Sequence, residues 1–227
     1  MTKPHESAGR KFTYEEYLTW PAEERWEIHE GEAIDMTPSP AIEHQEIIVE
    51  LGAQFRVFLR GKPCRVIFDF DVILPTQREE DEQVTTVVRP DLIVVCDSEK
   101  LDGKRVRGAP DLIVEVLSPR TASYDCIRKR RFYEADGVKE FWLVHPSERI
   151  ITVFHAGKGK SFGSPQYYDG TGKIAVSVLP GLEIDLSLVF PPPPKVVKES
   201  PKPFPMKNPG GTLARKARKK TAGAIRR

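Results

Sequence analysis

The sequence is poor in cysteine, and the cysteines it has form no recognisable pattern. Cys64, Cys96 and Cys126 are scattered, odd in number and without a C-x-x-C pair. Such spacing indicates neither a disulfide framework nor a zinc knuckle. The pattern fits a protein of the reducing cytoplasm.

Long hydrophobic runs are also missing. The opening stretch MTKPHESAGRKF has no apolar signal core, and no run approaches the roughly 20 apolar residues of a membrane span. No internal repeat is visible either. We therefore expect a soluble, cytoplasmic protein with no membrane contact, whose 227 residues and 39% apolar content suit one substantial core.

The net charge is only +2, but it is unevenly distributed. From residue 195 onward, eleven Lys or Arg accompany one acid, Glu199, which gives this part +10 and leaves −8 for residues 1–194. PPPPK at residues 191–195 opens a Pro- and Lys-rich stretch without periodicity. We predict a domain at 1–190 and a disordered basic tail at 191–227.

The tail has two open interpretations. It is either a solubilising segment or an arm that binds nucleic acid non-specifically, since lysine and arginine neutralise phosphates. The residues that would make these contacts are Arg215, Lys216, Arg218, Lys219 and Lys220.

Two apolar runs occupy the middle of the chain, RPDLIVVCD at residues 89–97 and APDLIVEVLSP at 109–119. Rich in Ile and Val and bounded by Pro and charged residues, they are typical of strands buried on both faces. The segment YDCIRKRRFY at 124–133 is predicted to be a helix.

Glu115 interrupts the second run, where an unpaired carboxylate would cost several kcal/mol. Asp111 shares its face of the strand but lies about 13 Å away, too far to share a metal ion. Asp91, on the preceding strand, is the better partner. If the two strands are neighbours, about 4.8 Å apart and in suitable register, both carboxylates point to one place.

These residues resemble a known family. Pro90-Asp91, the 24-residue gap to Glu115 and a nearby lysine resemble the PD-(D/E)XK nucleases. The wider pattern resembles the Uma-two family of restriction-endonuclease-like proteins within that superfamily, over about residues 12–190. Besides the two runs above, the matching pieces are WEIHEGE at 26–32, PSPAIEH at 38–44, GVKEFWLVHP at 137–146, PGLEIDL at 180–186, and Asp125, Lys129 and Tyr133.

The resemblance implies an α/β fold of the restriction-endonuclease-like type, with a mixed central sheet flanked by helices; the sequence adds antiparallel hairpins. It implies an endonuclease that hydrolyses nucleic-acid phosphodiester bonds with Mg²⁺ or Mn²⁺. DNA is the expected substrate, with RNA and a homodimer left open. Asp91, Glu115 and the main-chain carbonyl of Val116 would hold the ion, and Glu27 would assist a second one.

One part of the superfamily pattern is missing. Leu117 stands where the strand lysine belongs, and the resemblance implies that Lys129 on the helix replaces it, orienting water or stabilising charge on phosphate. Asp125 and Tyr133, at four-residue spacing, lie on the same stripe as supporting residues. Alternatively, Asp125 and Lys129 form only a surface ion pair. His29 and His145 replace acidic residues of the family pattern, and we expect neither to bind metal.

Three further sets of residues each have a functional and a purely structural interpretation. Glu27 is either a functional residue or a surface glutamate of a hairpin. His44 is either near phosphate or metal, or a solvated histidine in the first turn of a helix. The arginines Arg128, Arg130 and Arg131 either contact phosphates or form a solvated face.

The remaining segments are predicted from local signals. Thr13 and Glu16 form a capping box for a short helix, and Glu30-Gly31 is a two-residue turn between strands at 26–29 and 32–37. A long helix runs from Ser39-Pro40 to Gly61. Strands are expected at 66–74, 140–145, 150–154, 166–168 and 175–178, with a solvated acidic loop at 79–82.

Two rival functions remain. A nucleic-acid-binding module that kept the fold and lost the reaction is favoured by the missing lysine at position 117. A purely structural α/β domain would have Asp91 and Glu115 merely hydrogen-bonded. Metal titration and a cleavage assay distinguish these from the nuclease.

Overall fold

The computed structural model describes residues 9–21, 23–36, 41–76, 79–118, 122–157, 159 and 161–190, and the side chains of all of these except 122–126. The predicted tail at 191–227 and the predicted helix start at Ser39-Pro40 lie outside the described residues. None of the helices in the described ranges is long and apolar enough to cross a membrane.

Four helices and thirteen strands carry the described fold. The helices are α1 Tyr14–Tyr17, α2 Ile42–Phe58, α3 Ala122–Asp136 and α4 Leu186–Val189. The strands are β1 Trp26–His29, β2 Glu32–Asp35, β3 Arg65–Phe68, β4 Val72–Ile73, β5 Val87–Val88, β6 Leu92–Val95, β7 Val106–Arg107, β8 Leu112–Val116, β9 Glu140–His145, β10 Ile150–His155, β11 Gln166–Asp169, β12 Lys173–Ala175 and β13 Glu183–Asp185.

The main sheet has six strands in the order β11-β10-β9-β8-β6-β3. β8 and β9 are parallel because α3 connects them as a crossover, and the other neighbouring pairs are antiparallel. A second, five-stranded sheet has the order β2-β1-β5-β4-β7, and β12 pairs with β13. This mixed α/β architecture confirms the predicted fold class, although the hairpin β1-β2 belongs to a second sheet.

Alternation along β8 gives the main sheet two different faces. Leu112 and Val114 pack with α2, whereas Ile113 packs with α3 and with strands of the second sheet. α2 lies close to β3: a Cβ at Gly52 would be 2.1 Å from the ring of Phe68, so only glycine allows this approach. The site described below lies on the α3 face.

Some of the turns, caps and strands predicted from local sequence signals agree with the structure and others do not. The turn between β1 and β2 is confirmed, with positive φ at Glu30 and Gly31, as a two-residue hairpin loop requires. Thr13 N–H donates to Glu16 as a capping box does. The strand predicted at 175–178 is instead β12, which ends at Ala175.

Two predictions were wrong. The strand predicted at 66–74 breaks at Asp69, whose φ is 44°, and continues as β4 in the other sheet. Cys64 and Cys96, expected to be unpaired, form a disulfide. They lie one step beyond the Arg65–Val95 pair of β3 and β6, so strand register brought them together. The disulfide removes the cysteine argument for a reducing compartment.

Candidate active site

The site starts from the register of β6 and β8. Leu92 lies opposite Val114, and one step further along this register Asp91 lies opposite Glu115. Directly opposite residues share one face, with Cβ atoms about 4.5–5.5 Å apart. The two acids singled out in the sequence are therefore neighbours at one end of the strand pair.

Asp91 also hydrogen-bonds the last residue of β8. Its Oδ2 accepts a hydrogen bond from the N–H of Val116 at 2.8 Å. The N–H and C=O of one strand residue point to the same side, which places the Val116 carbonyl on the β6 side of β8.

Glu115 is held from the other side by α3. Its Oε1 accepts hydrogen bonds from Tyr133 Oη at 2.6 Å and from Lys129 Nζ at 3.2 Å. Lys129 and Tyr133 are one helical turn apart, so both reach the same carboxylate. Burial, with the negative charges of Asp91 and Glu27, raises the pKa of Glu115 to about 8 against the opposing effect of Lys129. Burial also raises the pKa of Tyr133 well above its usual range.

Lys129 bridges two buried acids. Its side chain is 2% exposed, and Nζ lies 2.7 Å from Glu27 Oε1 as well as near Glu115. A lysine in this position is not part of a surface ion pair, which excludes that alternative. The side chain of its predicted supporter Asp125 lies outside the described residues.

Glu27 is fully buried, so it is not a surface glutamate of the hairpin. Its Oε1 accepts from the main-chain N–H of Arg89 at 2.8 Å and faces Lys129, while its Oε2 lies 2.7 Å from Nε2 of His29. Burial alone would raise the pKa of Glu27, but Lys129 and His29 outweigh it and lower the pKa to about 2.

Two histidines complete the surroundings. His44, near the start of α2, is buried, and its Nε2 lies 3.3 Å from Asp91 Oδ2, so it is not a solvated histidine. His29 is buried two residues after Glu27 on β1. Residues two apart on a strand share a face, which is the sequence signal that could have placed His29 beside Glu27. No sequence signal pointed to the main chain of Arg89.

The acids suit a hard divalent cation. Within the described residues, Asp91 Oδ1 and Glu115 Oε2 have no hydrogen-bond or ion-pair partner. Mg²⁺ is bound by one or two carboxylates and keeps several waters. In the part of the chain that the structure describes, no group of three or more His, Cys, Asp or Glu could hold a metal. An ion here would therefore combine these two carboxylates with main-chain and water oxygens.

The predicted phosphate-binding residues divide into two groups. Arg128 pairs with Glu32 at 2.8 Å, Arg130 lies 4.8 Å from the ring centroid of Phe154, and Arg131 is exposed. The basic residues of the tail, at positions 215–220, lie outside the described residues.

The mixed sheet flanked by helices defines a restriction-endonuclease-like α/β protein. The model of the Uma2 family, described as "Putative restriction endonuclease", matches residues 14–187, and the chain belongs to that family. It is 30% identical over 148 residues to the uncharacterized protein slr1290 of Synechocystis sp. (strain ATCC 27184 / PCC 6803 / Kazusa), covering 64% of this chain and 74% of that protein.

The fold also has a solved counterpart. The crystal structure of a protein from Anabaena variabilis ATCC 29413, described as a putative nuclease belonging to DUF820, superposes with a TM-score of 0.63. The match covers 79% of this chain and 97% of that one at 19% sequence identity. It supports the fold assignment.

Proposed function

We propose that the protein is a metal-dependent endonuclease of the PD-(D/E)XK type that hydrolyses phosphodiester bonds of nucleic acid, with DNA as the expected substrate. The observation that carries this proposal is the position of Lys129 Nζ, 3.2 Å from Glu115 Oε1, beside a carboxylate that lies opposite Asp91. Two acids and a lysine at one point are the residue types that phosphodiester hydrolysis needs. The family description and the description of the Anabaena protein support the same activity.

The metal would be held by Asp91, Glu115 and the main-chain carbonyl of Val116. Mg²⁺ or Mn²⁺ held there would supply Lewis acidity and would lower the pKa of a water molecule in the site. His44 lies 3.3 Å from Asp91, and Tyr133 donates a hydrogen bond to Glu115, so both carboxylates are held in place by neighbouring side chains.

Lys129 would act on the substrate. Its ammonium is held between Glu27 and Glu115 and would stabilise the oxygens on which charge develops during phosphoryl transfer. Removal of one such donor typically lowers the rate by about two to three orders of magnitude.

Glu27 has a different role in this proposal from the assistance to a second ion that the family resemblance implies. One oxygen faces two donors, the other faces His29, and the side chain is 0% exposed. A cation at about 2 Å would have to displace these donors. We therefore assign Glu27 to positioning Lys129, and His29 to positioning Glu27, with one metal ion per site.

The binding-module alternative rests on Leu117, where the strand lysine is missing. Helix α3 brings Lys129 to Glu115 from another direction. The site therefore contains a cation although Leu117 stands at the usual lysine position. This favours the enzyme over a module that has lost the reaction.

The experiment is a cleavage assay combined with a metal titration of the full chain. Supercoiled DNA, single-stranded DNA and RNA are incubated with Mg²⁺, Mn²⁺ or EDTA, and Mn²⁺ binding is measured by calorimetry. We expect cleavage of DNA that needs metal, and one bound Mn²⁺ per chain. Nucleic-acid binding without cleavage under any of these conditions would establish the module instead, and the absence of both metal and nucleic-acid binding would leave a structural domain.

A further inference from the structure

The outer face of helix α2 has three exposed apolar residues among its charged ones. Ile42, Val49 and Val57 are 79%, 66% and 62% exposed, although the opposite face, with Ile47 and Leu51, is buried in the core. Exposed apolar residues scattered singly are normal, but these lie along one side of one helix. The outer face is therefore a candidate contact surface.

The outward residues follow the spacing of a helix–helix seam. Steps of four and three residues along α2, and into the turn that follows it, give a series of exposed residues: Ile42, Glu46, Val49, Ala53, Arg56 and Arg60. This is the spacing at which a second helix contacts the first. Ala53 near the middle leaves room for close approach.

The charges on this series are ordered. The amino-terminal half has acids, and Glu46 lies between Glu43 and Glu50, three and four residues away. The carboxy-terminal half has Arg56 and Arg60, also four residues apart. Like charges at these spacings repel within the helix. The helix dipole favours acids in the first turn and bases in the last, which accounts for Glu43 and Arg56. It does not account for Glu46, the fifth residue of α2.

A second copy of α2 in the antiparallel direction complements this arrangement. With Val49 of one helix facing Ala53 of the other, Glu46 faces Arg56 at both ends of the seam, and Ile42 faces Arg60. A two-fold axis makes every contact twice, as a self-complementary interface requires. A parallel copy would instead place acids against acids.

We propose that the outer face of α2 is a homodimer interface in which two α2 helices pack antiparallel. A groove of about 530 Å³ beside it, lined by Val57 and Phe58 of α2 and by Gly181 and Leu182, extends the contact surface. The proposal does not depend on the nuclease activity.

The test is a charge exchange, measured by sedimentation velocity of the full chain from about 1 to 100 μM at low salt. We expect the wild type to be a dimer. Glu46→Arg alone and Arg56→Glu alone should each raise the dissociation constant of the dimer at least about tenfold. The double variant should return this constant to within about threefold of the wild-type value. Glu148→Arg, an exposed reversal in the β9–β10 turn, is the matched control and leaves the dimer unchanged.

Thermal unfolding of each variant checks that it is folded. A wild-type chain that stays monomeric at 100 μM would overturn the proposal, and so would a dimer that is insensitive to both single reversals. Failure of the double variant to recover, with its fold intact, would also reject the antiparallel pairing. None of these outcomes bears on cleavage, so the two proposals can fail separately.

Discussion

The two Pro-Asp dipeptides of the chain lie at opposite ends of the antiparallel pair β6–β8. Each aspartate accepts a similar main-chain hydrogen bond. Asp91 accepts the N–H of Val116 at 2.8 Å, and Asp111 accepts the N–H of Cys96 at 2.7 Å. Each carboxylate thus fixes the main chain where the neighbouring strand ends, at the last residue of β8 and at the first residue after β6. The dipeptide by itself is a device for ending a strand.

The two ends differ in what stands opposite the aspartate. Glu115 lies opposite Asp91, whereas the same register places Val95 opposite Asp111. Each end also has a lysine: Lys129 is 2% exposed and bridges two acids, while Lys139, 2.6 Å from Asp111, is 66% exposed. The second carboxylate and the burial of the lysine, not the Pro-Asp motif, distinguish the proposed catalytic end from the structural one.

The largest expected difference between the ends comes from the aspartates. Asp91→Asn keeps an acceptor for the Val116 N–H but removes a charge from the metal, so we expect cleavage to fall at least about a thousandfold and Mn²⁺ binding to be lost. Asp111→Asn, the matched change, should leave cleavage within about threefold. Equal losses in the two variants, measured on supercoiled DNA, would show that the ends are equivalent and would refute the site.

The two lysines give the next largest contrast. We expect Lys129→Met to lower the single-turnover cleavage rate by about a hundredfold or more while Mn²⁺ binding persists, because a transition-state donor is lost and both metal ligands remain. Lys139→Met should have no effect on the rate, since its ammonium is largely solvated. Loss of metal binding in Lys129→Met would instead assign this lysine to the integrity of the site.

A smaller effect is expected for Glu27→Gln, because it acts through Lys129. We expect about a tenfold drop in cleavage rate, unchanged Mn²⁺ stoichiometry, and no further drop when Glu27→Gln is added to Lys129→Met, as coupled residues require. Glu140→Gln is the matched control: Glu140 is also fully buried with several donors, but it packs on the α2 face. Additive effects of Glu27→Gln and Lys129→Met, or loss of a second ion in Glu27→Gln, would contradict the positioning role.

The subtlest contrast concerns stability against pH in metal-free buffer. Burial raises the pKa of Glu115 to about 8, so the folded state binds an extra proton between about pH 4.5 and 8, and stability falls as pH rises through this range. Glu115→Gln should therefore gain stability relative to wild type from pH 5 to 8.5, by several kcal/mol at most.

Asp111 is expected to have the opposite dependence. Burial alone would raise its pKa, but hydrogen bonds from Lys139 and Cys96 lower it, so its contribution is present above about pH 4 and is lost only in acid. Asp111→Asn should thus run parallel to wild type from pH 5 to 8.5 in urea unfolding experiments. A parallel curve for Glu115→Gln as well would mean that Glu115 is ionised throughout this range.

The sequence predicted more of the main sheet than of its surroundings. The buried runs of β6 and β8 and the hairpin β9–β10 were evident because unbroken apolar runs and alternation are local signals. The break at Asp69 was missed, since a single residue with positive φ moved β4 into another sheet without interrupting the alternation. The Cys64–Cys96 disulfide was missed because it depends on the register of two strands that are distant in sequence.

By itself, then, the sequence determined that Glu115 was out of place within an apolar run and that Asp91, just before another, was its best partner. Both follow from hydrophobic patterning, which is visible in one dimension, whereas Lys129 was singled out by the family resemblance. Only the tertiary structure decided which of them meet. The register of β6 and β8 set Asp91 opposite Glu115. The crossover helix α3 brought Lys129 to within 3.2 Å of Glu115, and β1 of the second sheet placed Glu27, with His29 beside it, against the same lysine. Those distances depend on packing between segments far apart in the chain, which no local pattern encodes.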